Sequence, residues 1–206
     1  MPKRGIIAII SGFSGAGKGT IVDELVKKYG YALSISATTR APRTGEVEGK
    51  NYFFKTKEEF EQMINEDKLI EYAKYVDNYY GTPKDYVMEQ INAGKDVLLE
   101  IEMQGALKVK EKFPATSLIF ITPPNASELR HRLEKRGTEE KAVIEKRIKR
   151  AKEECSYMNK YDYVIVNDDL DECVKQLNNL LESLHFTANN QKQLIDEITK
   201  EFDIIY

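Results

Sequence analysis

The chain has 206 residues, of which 41% are hydrophobic and 32% charged, with 31 Lys plus Arg against 34 Asp plus Glu and a net charge of −3. That is too apolar for a disordered chain and too charged for a membrane-embedded one. The longest aliphatic run, Ile6–Ile10, falls well short of the ~20 residues a spanning helix needs. A nucleic-acid binder would show a basic excess, and this chain has none, so neither nucleic acid nor membrane is an expected partner. The length predicts one domain with room for inserted subdomains. The basic start at Lys3 and Arg4 precedes an apolar stretch too short for a signal peptide, so the cytoplasm is the expected compartment. Cys155 and Cys173 have no metal-ligand spacing and are expected to be free thiols.

Taken in chain order, the pattern alternates between strand and helix. Ile6–Ile10 is a β-branched run that reads as a buried strand. From Gly17 to about Tyr29 the period turns helical, with Ile21, Val22, Leu25 and Val26 on one face and Gly30 as the stop. The stretch from about Leu33 to Tyr80 breaks this alternation. Its aromatic pieces (Tyr52-Phe53-Phe54, Tyr79-Tyr80) and its turns at Pro42, Gly45, Gly49 and Gly81 predict a small mixed β lobe. Helices are predicted over Lys84–Asn92, Gly105–Lys112, Ala126–Lys135, Glu139–Tyr157 and Leu170–Leu184. Buried strands are predicted over Asp96–Ile101, Ser117–Ile121 and Asp162–Val166. The stretch from about Pro123 to Lys160 is a helical insertion carrying Arg130, Arg132, Arg136, Arg147 and Arg150. Beyond Phe186, Leu194, Ile195, Ile198 and Phe202 predict one more surface helix. Strands alternating with helices mean parallel pairing and an α/β layered core.

The strongest chemical signal is Gly12-Phe13-Ser14-Gly15-Ala16-Gly17-Lys18-Gly19-Thr20, lying between a predicted strand and a predicted helix. That is the context of a phosphate-binding loop, in which backbone N–H groups and a helix N-terminus surround the anion and a lysine neutralises its terminal phosphates. The usual Ser or Thr after the lysine is replaced by Gly19, with Thr20 one place later. A magnesium ion would then be held mainly by phosphate oxygens and water. ATPase, GTPase and kinase chemistry all remain open at this point. Arg40 and Arg43, linked through Pro42, could form a fork on a second phosphate, though exposed arginines are more often merely solvated. Glu71 and Thr82 lie in the same lobe, and a lone glutamate would ordinarily be a surface charge.

Together with Thr38-Thr39-Arg40-Ala41-Pro42-Arg43-Thr44-Gly45-Glu46, Asn78-Tyr79-Tyr80-Gly81, Glu100-Ile101-Glu102-Met103-Gln104-Gly105 and Val166-Asn167-Asp168-Asp169, the loop resembles the guanylate kinase family from about residue 5 to about residue 184. The resemblance implies a P-loop three-layer α/β core (about 1–34, 85–122 and 161–186). It also implies a GMP-binding lobe (about 35–84), a helical lid (about 123–160) and a tail (about 187–206). It implies phosphoryl transfer from ATP to GMP, and by extension dGMP, with Mg²⁺ as cofactor and no obligate protein partner. It places Ser36, Arg40, Arg43, Tyr52 and Tyr80 on the GMP phosphate, and Glu71, Thr82 and Glu102 on the guanine base. Arg132, Arg136 and Arg147 match lid arginines that reach the transferring phosphates, and Asn167 matches a residue beside the ATP base. Lys18, Arg40, Arg136 and Arg147 are the implied catalytic residues. The family usually has aspartate where this chain has Glu100 and Glu102. The alternative reading is a non-catalytic guanylate-kinase-like docking module, which would be expected to lose the ATP loop that this chain keeps.

Overall fold

The computed structural model describes residues 4–75, 77–135 and 140–205. Its elements run β1 (Ile7–Gly12), α1 (Lys18–Tyr29), β2 (Ala32–Ser34), β3 (Ala37–Thr38), β4 (Phe53–Phe54), α2 (Lys57–Asn65), β5 (Leu69–Tyr75) and β6 (Asn78–Pro83). Then follow α3 (Lys84–Asn92), β7 (Val97–Glu100), α4 (Met103–Lys112), β8 (Ser117–Thr122), α5 (Ala126–Lys135), α6 (Lys141–Cys155), β9 (Tyr163–Val166), α7 (Leu170–Leu184) and α8 (Lys192–Ile205), with one 3-10 turn at Met158–Lys160.

Five strands form a parallel sheet in the order β2-β7-β1-β8-β9. The chain leaves β1 in one direction across this sheet and β7 in the other. Right-handed crossovers therefore put α1 on one face and α4 on the opposite face. The point where the direction reverses opens a crevice at the carboxyl ends of β1 and β7, where α/β sheets bind ligands. The sheet is held by its apolar centre. Ile9, Ile10, Leu98, Leu99, Leu118 and Ile119 are fully buried, and truncating one of them to alanine would cost ~2–5 kcal/mol.

A second sheet, β4-β3-β6-β5, lies within residues 37–83. It shares a small core of Ala37, Phe60 and Leu69 with α2. This stretch is more helical than its aromatic and glycine content suggests. α2 begins at a capping box in which the Thr56 hydroxyl accepts from Glu59 N at 3.1 Å and the Glu59 carboxylate accepts from Thr56 N at 2.7 Å. Phe60 then stacks on Tyr79 with ring centroids 5.3 Å apart.

The Asp162–Val166 prediction needs a correction. β9 is an edge strand, not a buried one, and Val164 and Val166 turn outward to solvent. A run of four apolar residues fits a half-covered edge as well as a covered centre. α4 starts two residues before the predicted Gly105, because extended Glu102 (φ −73, ψ 162) is its N-terminal boundary. The predicted helix over Glu139–Tyr157 is observed over Lys141–Cys155, its first residue lying outside the described residues. No helix among the described residues is long and apolar enough to cross a membrane.

Candidate active site

The loop from Gly12 to Thr20 joins the end of β1 to the start of α1. The Lys18 ammonium donates to the carbonyls of Gly12 at 2.8 Å and Phe13 at 3.1 Å, which folds the side chain across the mouth of the loop. Phe13 is buried edge-on against Phe120 at 4.9 Å and anchors the turn. The Ala16 carbonyl accepts the Asn167 side-chain amide at 2.8 Å. Gly17 starts α1 at φ 91, and a Cβ there would stand 2.5 Å from that amide nitrogen, so only glycine fits. α1 has no side-chain cap and no acidic residue in its first turn. Its N-terminal N–H groups and partial positive charge are therefore available to an anion.

Across the sheet's carboxyl edge lies a cleft of about 420 Å³ bordered by Lys18, Ser36, Arg43, Glu71, Tyr80 and Arg147, among others. Small-molecule sites commonly span ~300–1,000 Å³. Glu71, on β5, is only 8% exposed, and its Oε1 accepts the Thr82 hydroxyl at 2.9 Å. Burial pushes its carboxyl up to about 7, against the opposing pull of the Thr82 hydrogen bond. The helix α4 makes room for it. A Cβ at Gly105 would stand 2.8 Å from Glu71 Oε2.

On the lobe side, Tyr52 and Tyr80 meet edge-on at 6.1 Å, and the Arg40 guanidinium lies 5.4 Å from the Tyr52 ring centre. Arg40 donates twice to Glu46, at 2.8 and 2.9 Å, and Glu46 holds the guanidinium charge firmly. The two arginines thus do not form an open fork: Arg43 borders the cleft while Arg40 is folded onto its own loop.

At the end of β7, Glu100 is exposed at the cleft mouth, with neighbouring chain close against its other sides. Desolvation raises its carboxyl above the usual range, and the Lys18 charge opposes this. Its Oε2 would be 3.9 Å from a Cβ placed on Gly19. Glu102 carries its carboxylate toward the helical segment, where its Oε2 accepts from Arg150 Nη2 at 3.0 Å.

That helical segment delivers one predicted arginine. Arg147, on α6, donates from Nη1 to the Ser14 hydroxyl at 3.1 Å, bridging α6 to the Gly12–Thr20 loop. Arg136 lies outside the described residues. Arg132 is not brought to the cleft lining; it pairs along α5 with Glu128 at 2.7 Å. Thr20 is exposed on α1. Two charged cleft residues outside the quoted motifs, Arg150 and Glu154, carry no role in the sequence reading. With Arg147 they form a stripe at i, i+3 and i+7 along α6, a spacing that puts all three on one helix face.

The family model for guanylate kinase matches residues 4–184. A guanylate kinase of Caldanaerobacter subterraneus subsp. tengcongensis is 52% identical over 200 residues, covering 97% of each chain. That of Bacillus subtilis is 49% identical over 187 residues, covering 90% of this chain and 92% of its own. The crystal structure of guanylate kinase from Anaplasma phagocytophilum superposes with a TM-score of 0.74 at 35% identity, over 91% of this chain and 90% of its own.

Proposed function

The chain belongs to the guanylate kinase family, and from that premise we propose that the cleft at the ends of β1 and β7 carries the γ-phosphoryl group of ATP to the phosphate of GMP. The products are ADP and GDP, a step of purine nucleotide metabolism, and dGMP is accepted by the same site. The observation that carries this reading is one cleft bordered on one side by Lys18 and Arg147 and on the other by buried Glu71.

A phosphate oxygen of GMP attacks the γ-phosphorus. The new P–O bond forms as the β–γ bridging P–O bond breaks, and its electron pair leaves on ADP. No general base is needed, because a phosphate monoester with a second pKa of ~6 is already largely dianionic at neutral pH. The protein's task is alignment and charge neutralisation. Lys18 leaves its loop carbonyls for the β and γ phosphates of ATP. Arg147, already at Ser14, faces the same anion, and Arg132 and Arg136 are assigned to the ATP side with it. Asn167 braces the loop from below at Ala16 and is proposed to border the ATP base. Ser36, Arg40, Arg43, Tyr52 and Tyr80 are assigned to the GMP phosphate. That requires Arg40 to exchange Glu46 for the incoming phosphate.

Guanine offers N1–H and the 2-amino group side by side. A Glu71 carboxylate whose Oε1 already accepts from Thr82 can take both donors, with Glu102 beside it. Adenine presents a lone pair at N1 instead. Sites built on buried polar pairing of this kind reject the wrong partner by ~10⁴-fold or more.

Mg²⁺ is the proposed cofactor, arriving with ATP and neutralising phosphate charge when bound. The protein groups fit such an ion modestly: Glu100 faces Gly19 and Lys18, and phosphate oxygens and water would complete its shell. The cytoplasm, where ATP and GMP pools meet, is the proposed compartment. A non-catalytic docking role is not favoured, because Lys18 and the whole loop are in place. A coupled ADP-release assay with ATP and Mg²⁺ over GMP, dGMP, AMP, CMP and UMP tests the reading. Turnover with GMP and dGMP is expected; turnover of AMP or UMP as fast as GMP would overturn it.

A further inference from the structure

Resting on this reading, we propose that Arg150 is a positioning residue that ties the lid helix to the guanine-reading carboxylate of Glu102, so that GMP occupancy and the placing of Arg147 over the ATP loop form one coupled equilibrium.

α6 turns one face to the cleft, and two of its arginines reach opposite substrates' territory. Arg147 donates to Ser14 in the ATP loop at 3.1 Å. Arg150, three residues on, donates from Nη2 to Glu102 Oε2 at 3.0 Å and from Nε to Glu154 Oε1 at 2.9 Å. Glu154, one turn further along α6, therefore aims the guanidinium at Glu102. Residues three apart on a helix move as a rigid pair, so a shift that breaks one contact disturbs the other.

Glu102 is well placed for this link. It is the extended residue that begins α4, and its carboxylate makes no cap bond to that helix. Held by Arg150 through Oε2, it keeps Oε1 for a guanine donor. The pairing also needs glutamate. An aspartate at this backbone position would draw the carboxylate back by about 1.3 Å, one carbon–carbon bond along the chain, and open the 3.0 Å contact. A base bound to Glu102 thus stabilises the α6 position that presents Arg147. By linkage, ATP bound beneath Arg147 tightens GMP by the same factor.

The test is calorimetric GMP binding with and without the β,γ-imido analogue of ATP plus Mg²⁺, alongside steady-state kinetics. The variants are Arg150→Gln, Arg150→Lys, Glu102→Asp and the Arg150→Gln/Glu102→Asp pair, each checked by thermal melting. In the parent the analogue should tighten GMP by about 5-fold or more, the lower range of measured couplings. Arg150→Gln and Glu102→Asp should each erase most of that factor and raise KM for GMP more than they lower kcat. The pair should do no more than either alone, and Arg150→Lys should restore part of the factor. If Arg150→Gln melts early, Glu102→Asp, which removes a single methylene, carries the test. A parent that turns over GMP while Arg150→Gln and Glu102→Asp keep the full coupling factor would overturn this inference alone. A parent that does not turn over GMP would overturn the underlying reading.

Discussion

At the scale of single residues, Lys18 and Glu71 represent opposite uses of charge. Lys18 rests on the carbonyls of Gly12 and Phe13, weak partners that a triphosphate easily outcompetes. Lys18→Ala should therefore fold normally and lose on the order of 10²-fold or more in turnover, the scale of one deleted preorganised contact. A melting curve and a single kcat check this. Glu71 is the group whose burial works against its proposed role as a carboxylate acceptor. Its carboxyl is pushed up to about 7 by burial, so the folded chain takes up a proton there that the unfolded chain releases near ~4.3. Protein stability from this group is thus greatest at acid pH and is lost as pH rises through about 7. On the proposed reading GMP binding has the opposite sign, because the guanine donors would need the carboxylate. kcat/KM for GMP should fall as pH drops below about 7, and Glu71→Gln should remove that limb while leaving the separate titration of the GMP phosphate near ~6. A profile that is flat between pH 6 and 8 in the parent chain would contradict it.

At the scale of elements, Gly105 in the first turn of α4 is where helix stability and the proposed base recognition by Glu71 compete. Alanine there should gain ~0.5–1 kcal/mol of helix preference, yet its Cβ would press on Glu71 Oε2, the far end of a side chain that can swing away. Gly105→Ala is expected to melt no lower than the parent, while KM for GMP rises about tenfold, equivalent to ~1.4 kcal/mol of lost contact. Melting and KM measured on one preparation decide it. What the sequence made legible follows the same division between local and distant causes. α3, α5 and α7 stand at their predicted bounds, because each has a periodic apolar face. The loop, β1 and α1 were legible because glycine spacing is itself the mechanism. α2 was hidden behind its aromatic neighbours, although Thr56 and Glu59 spell out a capping box. β2, β3 and β4 are two or three residues long and owe their existence to partners far along the chain. In the cleft, the burial of Glu71 and the 48-residue reach from Arg150 to Glu102 are products of packing, which no local pattern encodes.

At the scale of the whole molecule, both nucleotides are polyanions, and their approach requires charge from more than one part of the chain. Arg43 comes from the segment around the second sheet and Arg147 from α6, and they border one cleft. The nucleotide phosphates carry far more charge than the polar groups these arginines meet without them, so closure should require both substrates and expel water as it proceeds. Cys155, exposed at the end of α6, and an introduced Glu58→Cys on exposed α2 give a labelling pair, since Cys173 is buried. Their separation should shorten on adding GMP with the imido analogue of ATP, and an unchanged distance would contradict closure. The central claim is that a buried carboxylate chooses the acceptor. It is tested most directly by the ratio of kcat/KM for GMP to that for AMP, measured in the parent and in Glu71→Gln with ATP saturating. The parent ratio should be ~10⁴ or more and should collapse by at least a hundredfold in the variant, through loss of GMP turnover. A parent ratio near one, or a ratio that survives Glu71→Gln intact, would contradict it.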